Sequence, residues 1–213
     1  GSAIAAYCAN AGINCDIFVP ETTSFEKLVQ IKQYGATLRK VPGTREDTAS
    51  AVLKAAEKTY YASHYWNPFF FHGTKTFFFE LCEQLGWESP DTLILPVGNG
   101  SLLLGSWIGF NELFKAGIIN KFPRIIAVQS ANCAPLYHAF KQNLQEIPKI
   151  VREKTLAEGI AIATPIRGKQ ILEAVRSHKG DFFSVSEAEI QQSWLEMSRK
   201  GFYIEPTSRR TIF

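Results

Sequence analysis

The sequence predicts an α/β protein in which parallel sheets are wrapped by helices. Three observations carry that expectation. Two hydrophobic periods alternate along the chain, the connections between them are short, and one strongly apolar run of strand length leads through a glycine loop into a helix.

The elements follow in order. A helix from about Ser2 to Ala11 leads into a β-rich run from Cys15 to Val19, which Pro20 ends. The next helix opens at Ser24, whose hydroxyl can cap it, carries Leu28, Ile31 and Tyr34 on one face, and stops at Gly35. A strand over Ala36 to Val41, a helix from Thr44 to Lys58 and a strand from Tyr60 to Tyr65 come next. Beyond Asn67 and Pro68 the pattern predicts a longer helix over about Thr74 to Leu85 and a strand from Thr92 to Val97. A helix over Ser101 to Lys115, a strand over Ile125 to Gln129 and a helix from Pro135 to Gln142 complete the alternation. Gln145 to Thr155 is polar and broken by Pro148, the mark of a surface excursion. Helices over Lys169 to Ser177 and Glu187 to Lys200 then flank a strand from Phe182 to Val185, and composition alone marks no domain division near Asn67.

Composition narrows the function classes. Of 213 residues, 46% are hydrophobic and 20% charged, which suits a packed core and excludes disorder as the main state. Lys plus Arg number 23 against 20 Asp plus Glu, and the formal charge of +3 is too small and dispersed to make nucleic acid the main partner. Cys8, Cys15, Cys82 and Cys133 form no CxxC pair, and His64, His72, His138 and His178 form no HExxH or Cys/His cluster. The expectation is therefore thiols in a reducing cytoplasm and no metal site. The apolar N-terminal stretch lacks a basic leader and a cleavage site, and no run approaches the about 18 apolar residues of a membrane span.

Leu93 to Leu102 is the most informative stretch, an apolar strand followed by Gly98-Asn99-Gly100 and the start of a helix at Ser101. Two glycines let the backbone turn sharply and approach a ligand, while unpaired N–H groups and the helix dipole favour a phosphate. A tight strand-to-helix turn accounts for the same glycines. No lysine follows Gly100, and the lysine of Gly73-Thr74-Lys75-Thr76 lacks the adjacent and upstream glycines of a Walker loop. Position 103 is Leu and the next strand ends in Gln129 and Ser130, so a dinucleotide fingerprint is incomplete. What remains is a loop suited to one phosphate monoester held by backbone amides.

Seven segments together resemble the fold-type II pyridoxal-phosphate enzymes related to tryptophan synthase β, and within them the threonine synthase group. They are Gly1 to Tyr7, Ala11 to Asn14, Phe25 to Leu28 before Tyr34-Gly35-Ala36, Asn67-Pro68 before Gly73 to Thr76, Pro96 to Ser101, Ala157 to Ile160, and Glu205 to Ser208. The resemblance covers nearly the whole chain. It implies pyridoxal 5'-phosphate as cofactor, with Gly98, Asn99, Gly100, Ser101 and Leu102 at its phosphate. Glu158-Gly159 would then form a wall beside its ring and Glu205 would lie near its nitrogen-bearing edge, although a connecting turn and a helix N-cap region explain these residues equally.

In that family the Schiff-base lysine lies in an SFK-like segment upstream of an SGN motif, and neither occurs in this sequence, so no catalytic residue is assigned within the chain. Lys75 matches a helix start that the family has without that role, and Lys27 and Lys40 read as solvated positions. The resemblance therefore implies a chain cut at both ends, with residues 1–66 a partial small, mobile α/β domain and residues 67–213 a partial large cofactor-binding domain. The implied activity is that of a lyase acting on a small amino acid, threonine synthase-like, converting O-phosphohomoserine to threonine and phosphate, in a cytoplasmic protein that is a homodimer at full length. A serine or threonine dehydratase is the alternative, because Thr155 to Ala161 matches that pattern, and a non-catalytic homologue that binds a phosphorylated metabolite is a third. Phe69 to Phe71 and Phe77 to Phe79 read as core and interface surface.

Overall fold

A computed structural model describes residues 1–23, 25–43, 45–64 and 66–211. Ser24, Thr44, Tyr65, Ile212 and Phe213 lie outside these, as does the Lys27 side chain, so the cap expected at Ser24 and the helix start expected at Thr44 fall outside the described residues. The chain forms two compact units, residues 1–63 and 64–213.

The first unit is a parallel pair of strands with three helices. Helix α1 (Ser2–Asn10) precedes β1 (Asp16–Pro20), α2 (Phe25–Gln33) precedes β2 (Thr37–Val41), and α3 (Arg45–Ala56) follows. Its buried cluster is small: Ala5, Ile31 and Ala36, with Cys15, Ile17 and Leu38 packed against them.

The second unit holds α4 (Pro68–Thr74), α5 (Thr76–Gln84), β3 (Thr92–Pro96), α6 (Ser101–Lys115), β4 (Arg124–Ser130), α7 (Pro135–Lys141), α8 (Gly168–Ser177), β5 (Asp181–Val185) and α9 (Glu187–Arg199). Its three strands are parallel in the order β3-β4-β5. Strand β4 is buried at every position after Arg124, and its side chains alternate between two cores. Ile125 and Ala127 join a large cluster with Phe78, Phe110, Leu136 and Phe182, whereas Ile126 and Val128 join a smaller one with Ala157, Ile160, Val185 and Ile190. That alternation follows from the two-residue period of a strand. A central strand covered on both faces reads as one continuous apolar run, which is why it was legible.

One expectation needs correction and one helix was not anticipated. No strand forms over the described part of Tyr60 to Tyr65, which runs irregularly with the Ser63 N–H donating to the Tyr61 carbonyl at 2.9 Å. Among the described residues both sheets are complete without it, and a β-rich segment with no neighbour to share its backbone hydrogen bonds does not persist as a strand. The helix expected over about Thr74 to Leu85 is present as α5, Thr76–Gln84, and a short helix that was not expected, α4, precedes it from Pro68. Asn67 caps α4 by accepting from the Phe69 N–H at 3.0 Å, and proline occupies the first turn, where its missing N–H costs nothing.

Helical spacing also divides the phenylalanine triplets. Phe71 and Phe78 are buried, while Phe69, Phe70 and Phe77 are exposed, because three consecutive residues on a helix cannot all face one core. Cys82 and Cys133 are buried free thiols, and burial pushes both above their ordinary range. Among the described residues, no helix is long and apolar enough to cross a membrane.

Candidate phosphate-binding site

The glycine loop leaves the carboxyl end of β3, the edge of a parallel sheet where ligands of open α/β folds bind. The Val97 N–H completes the ladder by donating to the Val128 carbonyl at 2.9 Å. From Gly98 to Leu103 no backbone N–H donates to an acceptor among the described residues, and the first intrahelical bond of α6 is Leu104 N–H to the Gly100 carbonyl at 2.8 Å. A helix start always leaves its first amides unpaired. Here the unpaired set extends upstream through Gly100, Asn99 and Gly98, as a cradle for an anion requires. No acidic side chain stands in the first turn of α6 to oppose a negative ligand.

Both glycines are required by the surroundings. At Gly98 a Cβ would sit 2.9 Å from the Ile160 Cα and 3.0 Å from Ile162 Cγ1. Gly100 caps α6 with φ +74°, a left-handed conformation that L-residues avoid, and a Cβ there would strike Ile171. Ser101 and Leu102 are half-buried; Leu102 packs on the large core, and the Ser101 carbonyl accepts from Thr74 Oγ1 at 3.0 Å. Asn99 is half-buried between the two buried glycines.

The fold brings three distant sequence segments together at this place. Gly98 packs against Gly159 and Ile160 of a 3-10 turn over Glu158–Ile160. A Cβ on Gly159 would in turn meet Thr207 of a second 3-10 turn over Pro206–Thr211, a turn that also packs on β3. The Glu158 and Glu205 side chains themselves are exposed.

Supporting residues not anticipated as such surround the loop. Gln129, fully buried, donates from Nε2 to the Val97 carbonyl at 3.0 Å and accepts at Oε1 from the N–H groups of Leu136 and Tyr137, at 2.9 and 3.0 Å. On the opposite face of β4, Ser130 donates to Glu187 at 3.0 Å; Thr155 Oγ1 and the Leu156 N–H donate to the same carboxylate at 2.5 and 2.8 Å. Glu187 thus ties the segment entering the Glu158 turn to the sheet. The signal was present in the sequence, since two polar residues extend an apolar buried run and a buried polar group requires partners.

Lys75 lies elsewhere. Its Nζ donates to both carboxylate oxygens of Glu112, at 2.9 and 2.7 Å, near the far end of α6. Eleven residues of helix, about 16 Å at 1.5 Å per residue, separate Glu112 from the loop. Lys40 is exposed. Two concavities of about 570 and 480 Å3, along α8 and between Trp66 and Gln170, are not lined by the loop.

Comparison with known proteins places this arrangement. The serine racemase of Dictyostelium discoideum superimposes with a TM-score of 0.77 and 25% identity, over 99% of this chain and 64% of that one. An L-serine ammonia-lyase from Rhizomucor miehei does so with a TM-score of 0.78 at 21% identity, covering 99% and 64%. The architecture is therefore that of the fold-type II pyridoxal-phosphate proteins. A family described as pyridoxal-phosphate dependent enzyme matches residues 1–212, and the chain belongs to that family. Curated relatives include threonine synthases of Methanocaldococcus jannaschii, 34% identical over 99% of this chain and 53% of that one, and of Mycobacterium tuberculosis, 32% identical over 98% and 56%. The chain thus spans about half the length of the curated relatives it matches.

Proposed function

We propose that the protein is a pyridoxal-phosphate-dependent lyase of threonine synthase type, converting O-phosphohomoserine to threonine and phosphate. In this reading Gly98, Asn99, Gly100, Ser101 and Leu102 hold the cofactor phosphate. One observation carries the site: an unbroken series of unpaired amides from Gly98 to Leu103, on a loop where a side chain at position 98 or 100 would collide with its neighbours. The substrate class follows the threonine synthases, whose likeness extends along almost the whole chain.

When bound, the cofactor supplies an electron sink for the carbanion formed at an amino-acid substrate. The residues of this chain bind and orient. The loop amides and the α6 N-terminus neutralise a phosphate dianion. Glu187, through Thr155 and Leu156, holds the turn that packs on Gly98. We assign residues 1–66 and 67–213 to a small and a large domain, with the cofactor phosphate on the large one, in a cytoplasmic homodimer.

The test is an assay of the full-length protein loaded with pyridoxal phosphate, comparing phosphate release from O-phosphohomoserine with keto-acid formation from threonine. Phosphate release coupled to threonine formation is expected. Turnover of threonine alone would replace this reading with a dehydratase, the alternative that Thr155 to Ala161 favours, and cofactor-independent binding of phosphorylated metabolites would replace it with a non-catalytic homologue.

A further inference from the structure

Loop amides bind a phosphate together only when their N–H bonds point the same way, and a glycine loop does not hold a direction unaided. Gln129 stands where that direction is set. Strand β3 pairs with β4 as far as Pro96 opposite Val128, and the Val97 N–H makes the next ladder bond. The Val97 carbonyl then accepts from a side chain, Gln129 Nε2, at 3.0 Å. That carbonyl and the Gly98 N–H belong to one planar trans peptide, so they point in opposite directions. Holding the oxygen toward the buried amide turns the first N–H of the loop away from it.

The amide of Gln129 has no freedom to do otherwise. Its side chain is 0% exposed, and its oxygen is held by two N–H groups at the start of α7, Leu136 and Tyr137, which leaves the nitrogen facing Val97. No residue of its own caps α7, so Gln129 serves that helix as well. One side chain therefore links a helix start, the central strand and the entrance to the loop.

We infer that Gln129 is a positioning residue for the phosphate loop, fixing the orientation of the Val97–Gly98 peptide and hence of the first amide that meets the cofactor phosphate. This rests on the reading of Gly98 to Leu102 as the phosphate site. A glutamate at the same place would keep the acceptor for Leu136 and Tyr137 and, once ionised, lose the donor to Val97, so a loss that grows as pH rises separates the loop-aiming role from the helix-capping one.

The experiment titrates the full-length apoprotein with pyridoxal phosphate, following cofactor absorbance and the 31P resonance of the bound phosphate. Gln129→Glu is expected to raise the dissociation constant about tenfold, equivalent to ~1.4 kcal/mol and the scale of one buried hydrogen bond, and to shift or broaden the 31P signal. Leu113→Ala, a core truncation near the far end of α6, is expected to lower the melting temperature while leaving the dissociation constant and the 31P signal unchanged. If Gln129→Glu does not fold, Gln129→Met, which loses all three bonds without adding charge, is read in the same way. A wild-type dissociation constant and resonance in the Gln129 variant, or an equal loss in Leu113→Ala, would overturn the inference. Wild-type protein that binds pyridoxal as tightly as its phosphate would instead overturn the phosphate site itself, and this inference with it.

Discussion

Gly98 is the position at which a single added carbon tests the site most sharply. Its would-be Cβ meets the Ile160 backbone at 2.9 Å, and backbone cannot rotate aside as a flexible side chain can. Gly98→Ala is expected to lower the unfolding free energy by about 1–3 kcal/mol, the usual cost of overpacking, and to weaken pyridoxal-phosphate binding. Urea denaturation and cofactor titration check both; a variant unchanged in each would mean that the Glu158 turn gives way freely. Lys75 supplies the contrast. Its pairing with Glu112, whose side chain is 43% exposed, is a surface-linked ion pair of modest value. Thr74, its neighbour, bonds the Ser101 carbonyl beside the loop, but the Lys75 ammonium turns to Glu112, eleven residues along α6 from Ser101.

At the scale of elements, the order and type of most helices and strands follow from hydrophobic period alone. Helix α6 spans Ser101–Lys115, the range expected, because a left-handed glycine cap starts it and an apolar stripe sustains it. The described part of Tyr60 to Tyr65 failed the same logic, since β-propensity reports a preference for a pleated neighbour that it does not have among the described residues.

The start of β5 carries a pH dependence. Burial pushes the Asp181 carboxyl up, but hydrogen bonds from Lys141 at 2.6 Å and from the Phe182 N–H at 2.7 Å outweigh it, and the net result lies below the ordinary value of 3.8. A carboxyl that binds protons more weakly when folded adds stability above its unfolded pKa and loses it as pH falls through the folded one. Unfolding free energy should therefore fall as pH drops below about 3.8. Asp181→Asn should flatten that part of the acid limb, as measured by urea midpoints between pH 5 and pH 2, on the order of the carboxylate titration range. An unchanged slope would assign the acid sensitivity to other carboxylates.

At the scale of the whole molecule, the two units differ in how much apolar surface each buries. A two-stranded sheet over a cluster of Ala5, Ile31 and Ala36 is a small core, whereas the central strand of the second unit's sheet is buried on both faces, between two clusters. Small cores and two-stranded sheets are marginal. Amides in β1 and β2 are expected to exchange with solvent through lower-energy openings than those in β3 to β5. Hydrogen exchange followed by mass spectrometry checks this, and equal protection in the two units would refute it.

The alternation of periods and the strand-to-helix turn at the glycine loop were legible in the linear chain, because each rests on neighbouring residues; the Glu158 and Glu205 segments stood out only by resemblance, since their contacts reach across the fold. Gln129, Ser130 and Glu187 were present there only as polar letters. Their roles depend on which face of β4 each meets: one side opens onto the Val97 carbonyl and the start of α7, the other onto the α9 carboxylate. The local code settles which segments are helix, strand or turn, since propensity and period act over neighbouring residues. Only packing decides which distant segments share an edge of the sheet and which way a peptide points there, since buried polar groups take their partners from across the fold.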